Sequence, residues 1–245
     1  MISKEEVASV LRQMQSTEFS LPIGVAMLDM LTVDPATALC VGVKSSQTIY
    51  CKVHSLYVSS RLAEGLATAR DVMAFIADNW YEQPYRPVYT ARVTYGQSKE
   101  SDALRLYGKR TGLTVRTCRN GVNEKIPFLI ASPDGLAFRN GVFAHAVEVK
   151  TIRNIRSYHG IRCCTFDGTR LTVNKSSNIY GQLQFTMAVF NTASIDLVLY
   201  FPDWGTIDVI TVKWNLAYLK DYLTRLSHNY KPYLVPYLIR KLSQL

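Results

Sequence analysis

The stretch Ser132–Thr151, SPDGLAFRNGVFAHAVEVKT, decides how the rest of the chain is read. Its second half, FAHAVEVKT, has the alternation and β-branched residues of a strand, and IPFLIAS reads as the strand before it. Side chains two apart in a strand share a face, so Glu148 and Lys150 project together while Val149 packs behind. If the two strands pair through a DGLAFRNG turn, Asp134 falls beside Glu148 at the sheet edge. Two carboxylates and an ammonium in one cluster suit hard-cation chemistry, because Mg2+ takes oxygen ligands from one or two carboxylates, water and phosphate. An ordinary hairpin is the other reading, since Glu-Val-Lys also occurs in solvent-facing strands where both charges stay hydrated.

Two other helices bear on the choice. The residues three, four and seven positions after Glu100 are Ala103, Leu104 and Tyr107, which puts Glu100 on the apolar, inward face of its helix. An inward carboxylate needs a bound cation or a salt bridge to Arg or Lys. In YGQLQFTMAVF, Gln182 shares a stripe with Phe185 and Val189 and so points inward, although a glutamine at a helix start also serves as a cap.

The 245 residues are 48% hydrophobic and 19% charged, without repeats or low-complexity tracts, which describes a folded globular protein with one large domain or a core plus an appendage. LPIGVAMLDML is too short for a membrane span, and the amphipathic, early-acidic N-terminus does not read as a signal peptide. Five cysteines without CxxC spacing argue against zinc or iron–sulfur ligation and for free thiols in a reducing, intracellular compartment. The net charge of +9 is concentrated: Lys99–Asn178 holds fourteen Lys/Arg against six Asp/Glu, a net of +8. Such a surface points to a polyanion, with nucleic acid ahead of an anionic membrane.

Along the chain, helices are expected over 3–15, from Ser59 or Ser60 to Asp78, from Ser98 to Arg110 with Gly112 ending it, and from Ile179 to Asn191. TVRTC, IPFLIAS, FAHAVEVKT, IDLVLYF and TIDVITVKW read as strands, the last two joined by PDWG, while 152–178 reads as basic and irregular. A Tyr-rich helical tail follows Asn215; it docks on its own core or forms an oligomer face. This order gives an α/β (α+β) fold around a mixed central sheet flanked by helices. Residues 1–58 are expected as an N-terminal helix and β-rich extension, and 59–245 as the core with its helical tail.

KESDALRLYGKRTGL, IASPDGL, VEVKT and YGQLQFTMAV, in this order over about residues 95–201, resemble the YqaJ-type viral recombinase nucleases. That group includes phage lambda exonuclease and the viral alkaline exonucleases of the PD-(D/E)XK superfamily. The resemblance implies a restriction-endonuclease-like core and Mg2+-dependent hydrolysis of DNA, with Mn2+ as a substitute, most readily as a 5′–3′ double-strand exonuclease in recombination, replication or genome processing. It implies that Asp134, Glu148 and the Val149 carbonyl bind metal, with Glu100 completing the acidic site directly or through water. Lys150 would act on the nucleophilic water, Gln182 would support it, and Ser132 would contact the terminal phosphate. Arg153 and Arg156, with Arg162, Arg170 and Lys175, would meet DNA phosphates. Double-stranded DNA is the implied partner, along with a homo-oligomer and a single-strand annealing protein, in the cytoplasm or nucleus of a phage or viral host.

The chain departs from the family at KVHSLYVSSR, where Ser60 takes the position of a phosphate-gripping serine but no arginine accompanies it; Lys52 or His54 is the available substitute. Polarity therefore stays open. An endonuclease acting on DNA or RNA and a non-catalytic nucleic-acid-binding module remain the rival readings.

Overall fold

The computed structural model describes residues 31–34, 39–42, 58–79, 91–117, 121–122, 129–153 and 158–237. The helix expected over 3–15, the YEQPYRPVY loop, Lys52, His54 and Arg156 lie outside them. Two compact units interleave along the chain: 1–86, 119–131 and 215–245 form one, and 87–118 and 132–214 the other. The boundary expected after residue 58 is a different kind of division, since it cuts the sequence once. No described helix is long and apolar enough to cross a membrane.

The first unit holds strands β1 (Leu31–Asp34), β2 (Leu39–Gly42), β3 (Val58–Ser59), β5 (Gly121–Val122) and β6 (Leu129–Ala131), numbered along the whole chain. They form one sheet in the order β1-β2-β5-β6-β3, with only the β3–β6 pair parallel. Helices α1 (Ser60–Thr68) and α2 (Val72–Asn79) replace the single helix expected to reach Asp78. The break has a local cause: Thr68 Oγ1 donates to the Glu64 carbonyl at 2.8 Å, and Asp71 Oδ1 accepts from the Ala74 N–H at 2.9 Å, starting the second helix.

The C-terminal helix α5 (Leu216–Asn229) buries Leu219, Tyr222, Leu223 and Leu226, and Asn229 donates to the Leu66 carbonyl of α1 at 2.8 Å. It continues into a π-helical turn, Tyr230–Leu234, where Pro232 has no N–H to offer the preceding turn. Of its tyrosines, Tyr222 and Tyr230 are therefore core residues of this unit.

The second unit is built on α3 (Ala91–Thr111), β4 (Thr114–Thr117), β7 (Gly135–Arg139), β8 (Val142–Thr151), a 3-10 turn at Tyr158–Gly160, β9 (Cys164–Phe166), β10 (Leu171–Val173), α4 (Asn178–Phe190), β11 (Ser194–Phe201) and β12 (Thr206–Lys213). Its sheet runs β12-β11-β8-β7-β4, mixed because β8 and β11 are parallel. Helix α3 begins earlier than expected, and Lys109 and Arg110 in its last turn suit the negative end of the helix dipole. Ser177 caps α4, and Asn191, left-handed at φ 48°, ends it.

Three expectations about the opening stretch change. Its first half is a strand, β7, and the reversal is confined to Asn140 and Gly141, whose positive φ values of 52° and 80° make a two-residue hairpin turn. The IPFLIAS strand, β6, pairs in the first unit's sheet instead of with β8. Glu148 therefore lies on the central strand of its sheet, not at an edge. The basic segment 152–178 also contains a regular hairpin, β9–β10.

The two faces of β8 and β11 divide the unit into layers. Val147, Val149, Val198 and Tyr200 pack against Ala103, Leu104 and Tyr107 of α3. Ala146, Glu148 and Lys150 turn to the opposite face, alongside Ile195, Leu197 and Leu199 in parallel register.

Candidate active site

A β-bulge aligns the two carboxylates. Beside the turn Arg139 pairs with Val142 and Phe138 with Phe143, but at the next step Ala137 pairs with His145, so β8 carries one extra residue, Ala144. Gly135 consequently faces Val147, and the next position brings Asp134 alongside Glu148. Without the bulge Asp134 would meet Val147, whose side chain points toward α3. Gly135 also eases the approach of α3 beside Asp134: a Cβ on it would come within 3.0 Å of Leu104 and 3.1 Å of Val115, and those side chains would have to shift.

The expected residues converge. Asp134 Oδ2 accepts the Val149 N–H at 2.7 Å. Lys150 Nζ donates to Glu148 Oε1 at 2.6 Å, and Gln182 Nε2 donates to the same oxygen at 2.8 Å. Glu148 is 3% exposed. Gln182 is thus a partner of the site and not a helix cap. Its neighbour Gln184 has a structural contact, donating to the Lys213 carbonyl at 3.0 Å.

The electrostatics are frustrated. Burial, then Glu148 and more weakly Glu100, push the Asp134 carboxyl well above the ordinary carboxylate value, while Lys150 and the Val149 N–H pull it down. Burial opposes the Lys150 charge, but Glu148 and Asp134 outweigh it and raise its pKa. Glu100 is close enough to act on Asp134 from α3, as its inward position implied. The pushed-up Asp134 carboxyl beside the buried Glu148 suits a cation. Among the described residues no three His, Cys, Asp or Glu side chains are gathered closely enough to cage a metal. A metal here would rest on Asp134 and Glu148 with the Val149 carbonyl, water and substrate oxygens, which is how Mg2+ is usually held.

The remaining expected residues are placed as follows. Ser132 is half-buried in the loop that leads into Asp134. Arg153, just beyond β8, is exposed and stacks its guanidinium 4.0 Å from the Tyr95 ring centroid on α3. Ser60 opens α1 in the other unit.

Sequence reasoning missed Cys163. Its Sγ lies 3.8 Å from that of Cys164. The Cys164 hydrogen bond chiefly, assisted by Lys150 and opposed by burial, lowers the Cys163 thiol to about 7. Both thiols are free. Only the fold of the β9–β10 hairpin brings Cys163 near Lys150, so no local pattern announces it. A second omission is the cluster on the α3 face. Tyr107 donates to Asp196 Oδ2 at 2.7 Å and lies 2.7 Å from His145 Nε2, His145 Nε2 is 3.1 Å from the same carboxylate oxygen, and Thr211 donates to Asp196 Oδ1 at 2.7 Å.

A mixed sheet with a helix on each face and a paired acid-and-lysine cluster on its central hairpin is a restriction-endonuclease-like core. Residues 54–198, more than half of the 245, match the YqaJ-like viral recombinase domain, and the chain belongs to this family of recombination-related nucleases. Among solved structures, it is similar to an alkaline exonuclease from Laribacter hongkongensis, with a TM-score of 0.56 and 16% identity over 81% of this chain and 99% of that one. The same enzyme in complex with dAMP gives a TM-score of 0.53, again at 16% identity and with 81% and 99% of the two chains covered. A phage-related exonuclease from Haemophilus somnus 129PT gives 0.50 at 12% identity over 79% and 99%. None of the curated protein sequences matches.

Proposed function

We propose that this chain is a metal-dependent deoxyribonuclease that hydrolyses phosphodiester bonds, and that it works as a 5′–3′ double-strand exonuclease in recombination, replication or genome processing. The observation that carries the proposal is the convergence on one sheet face of Asp134, Glu148, Lys150 and Gln182, with the Asp134 carboxyl forced upward by burial and by its acidic neighbours. Family membership and the exonuclease names of the structural neighbours agree with it, and the Laribacter enzyme was crystallised with a nucleotide, dAMP.

Asp134, Glu148 and the Val149 carbonyl would hold Mg2+, with Mn2+ as a substitute and Glu100 reaching it through water. Bound there, the cation supplies charge stabilisation at the phosphorus and the leaving oxygen. Glu148 fixes the Lys150 ammonium, which faces the same side of the sheet and orients the attacking water. Gln182 occupies the remaining approach to Glu148 Oε1 and so holds that carboxylate in one rotamer. Ser132, Arg153 and Arg156 would contact DNA phosphates, as would Ser60 and Lys52 at the 5′ end. Double-stranded DNA is the proposed partner; a homo-oligomer and a single-strand annealing protein are further partners in this reading.

The absence of an arginine in KVHSLYVSSR favours a second reading, an endonuclease of the same chemistry. Digestion of end-labelled linear duplex with and without a 5′-phosphate, beside covalently closed circular DNA, separates them. Mononucleotide release from the 5′-phosphorylated linear substrate alone is expected. Cutting of the closed circle would establish the endonuclease, and no hydrolysis with either Mg2+ or Mn2+ would leave a binding module.

A further inference from the structure

Beyond Lys150, the same sheet face carries a group of aromatic rings that hydrolysis does not use. Leu199 is in parallel register with Lys150, so the two share a face. Phe201, two residues further along β11, returns to that face roughly 7 Å on at the strand rise of about 3.3 Å per residue. The turn Pro202–Gly205 then folds back, with the Trp204 N–H on the Phe201 carbonyl at 3.1 Å and Gly205 at φ 64°. It lays the Trp204 indole on the Phe201 ring, with centroids 5.0 Å apart and planes 19° from parallel. Tyr158 meets both rings edge-on at 5.9 and 6.5 Å, and Phe166 packs on Tyr158 at 5.2 Å.

The outermost ring is open. Phe201 is 2% exposed but Trp204 is 48% exposed, so one indole face is held by Phe201 while much of the ring remains in water. A core tryptophan would be covered; this one is fixed in orientation and left accessible. Tyr158 ties the segment that follows β8 to these rings. The Ile152 N–H donates to the Tyr200 carbonyl at 2.8 Å, which carries the chain leaving β8 alongside the end of β11, and exposed Arg153 follows at once. Among the described residues that follow, Arg162, Arg170 and Lys175 are exposed, and the Asp167 carboxylate is engaged by Thr169 and Arg170 of its own turn. Beside the rings the charges are mixed, with Asp208 hydrogen-bonded to Tyr158 and Arg110 acting on the same hydroxyl. An uncharged, flat nucleobase fits over the indole there.

We propose that Trp204, backed by Phe201 and Tyr158, is a stacking platform for an unpaired nucleobase of the DNA strand that enters or leaves the Asp134–Glu148–Lys150 site. The inference rests on the nuclease reading and adds to it a binding site for single-stranded DNA ends. Aromatic platforms beside cationic tracks are the general means of holding single strands, because every base presents a π-face.

The test uses the full chain without divalent metal, so that binding is read apart from hydrolysis. Short single-stranded oligonucleotides and their counterparts with one abasic position are titrated by anisotropy, and tryptophan emission is followed in parallel. Trp204→Ala is expected to weaken binding of the intact oligonucleotide roughly tenfold or more, the scale of one lost stacked base. Trp204→Phe should retain most of the affinity while losing the emission quenching, which identifies Trp204 among the three tryptophans. At its most damaging position the abasic site should weaken wild-type binding and leave Trp204→Ala unchanged. Equal affinity of Trp204→Ala and wild type, or abasic oligonucleotides bound as well as intact ones, would overturn the platform while the nuclease reading stands on its own hydrolysis assay. No oligonucleotide binding by the wild type would also overturn it.

Discussion

Strands β8 and β11 carry two polar clusters, one on each face of the same sheet, and they differ in how fully their charges are answered. Toward α3, Asp196 receives hydrogen bonds from Tyr107, His145 and Thr211. Burial works against its charge, but these donors outweigh burial and hold its carboxyl below the ordinary value. Toward α4, Asp134 is raised instead, by burial and by neighbouring carboxylates. The direction of the two shifts separates a carboxylate whose charge the fold favours from one whose charge it disfavours. Residue types alone do not separate them: both clusters contain a buried acid, Asp196 or Glu148, and a basic partner.

Substitution should split the clusters in opposite directions. Asp134→Asn keeps an acceptor for the Val149 N–H but removes a strained charge. Hydrolysis is expected to fall about 1,000-fold, within the range for loss of a metal or acid–base group, while thermal stability without metal rises by about 1 kcal/mol. Asp196→Ala should do the reverse and cost about 2–4 kcal/mol by leaving buried donors without their acceptor, read as a lowered melting temperature.

The pH dependence follows from the sign of the Asp196 shift. Its carboxyl is lowered in the fold, so its contribution is full above the unfolded value of about 3.9 and is lost as pH falls through the lower folded value. Asp196→Asn should flatten the acid limb of the stability curve there. Mg2+ at a hundred times its Kd should stabilise the wild type by about 2.7 kcal/mol in a melting experiment, and this gain should vanish in Glu148→Gln. The smallest effect belongs to Gln182→Ala, which removes one hydrogen bond to Glu148 and should lower kcat about tenfold with little change in KM.

How much of this was legible in the sequence depended on range. Glu148 and Lys150 follow from strand alternation, and the inward face of Glu100 from helical spacing, because both are local periodicities. Their neighbourhood with Asp134 was expected for an incomplete reason: the bulge at Ala144 sets that register, and nothing in AFRNGVFAH marks an extra residue. Asn140–Gly141 is a recognisable hairpin turn that the longer reversal concealed. The Tyr107–Asp196–His145 network and the Tyr158–Trp204 stack join residues far apart in sequence, so only the folded sheet brings them together. The β9–β10 hairpin was hidden by its charge, since a basic segment reads as solvated loop until its short alternating strands pair.

The most direct measurement is Mg2+-initiated hydrolysis of linear duplex DNA by Lys150→Ala beside the wild type, with both proteins matched for folded fraction. Lys150 donates to Glu148 and faces the site, so its loss should lower the rate about 100- to 10,000-fold, beyond what the lower melting temperature of a protein with an unpaired buried Glu148 accounts for. Hydrolysis by Lys150→Ala at the wild-type rate would contradict the assignment of this cluster as the catalytic centre.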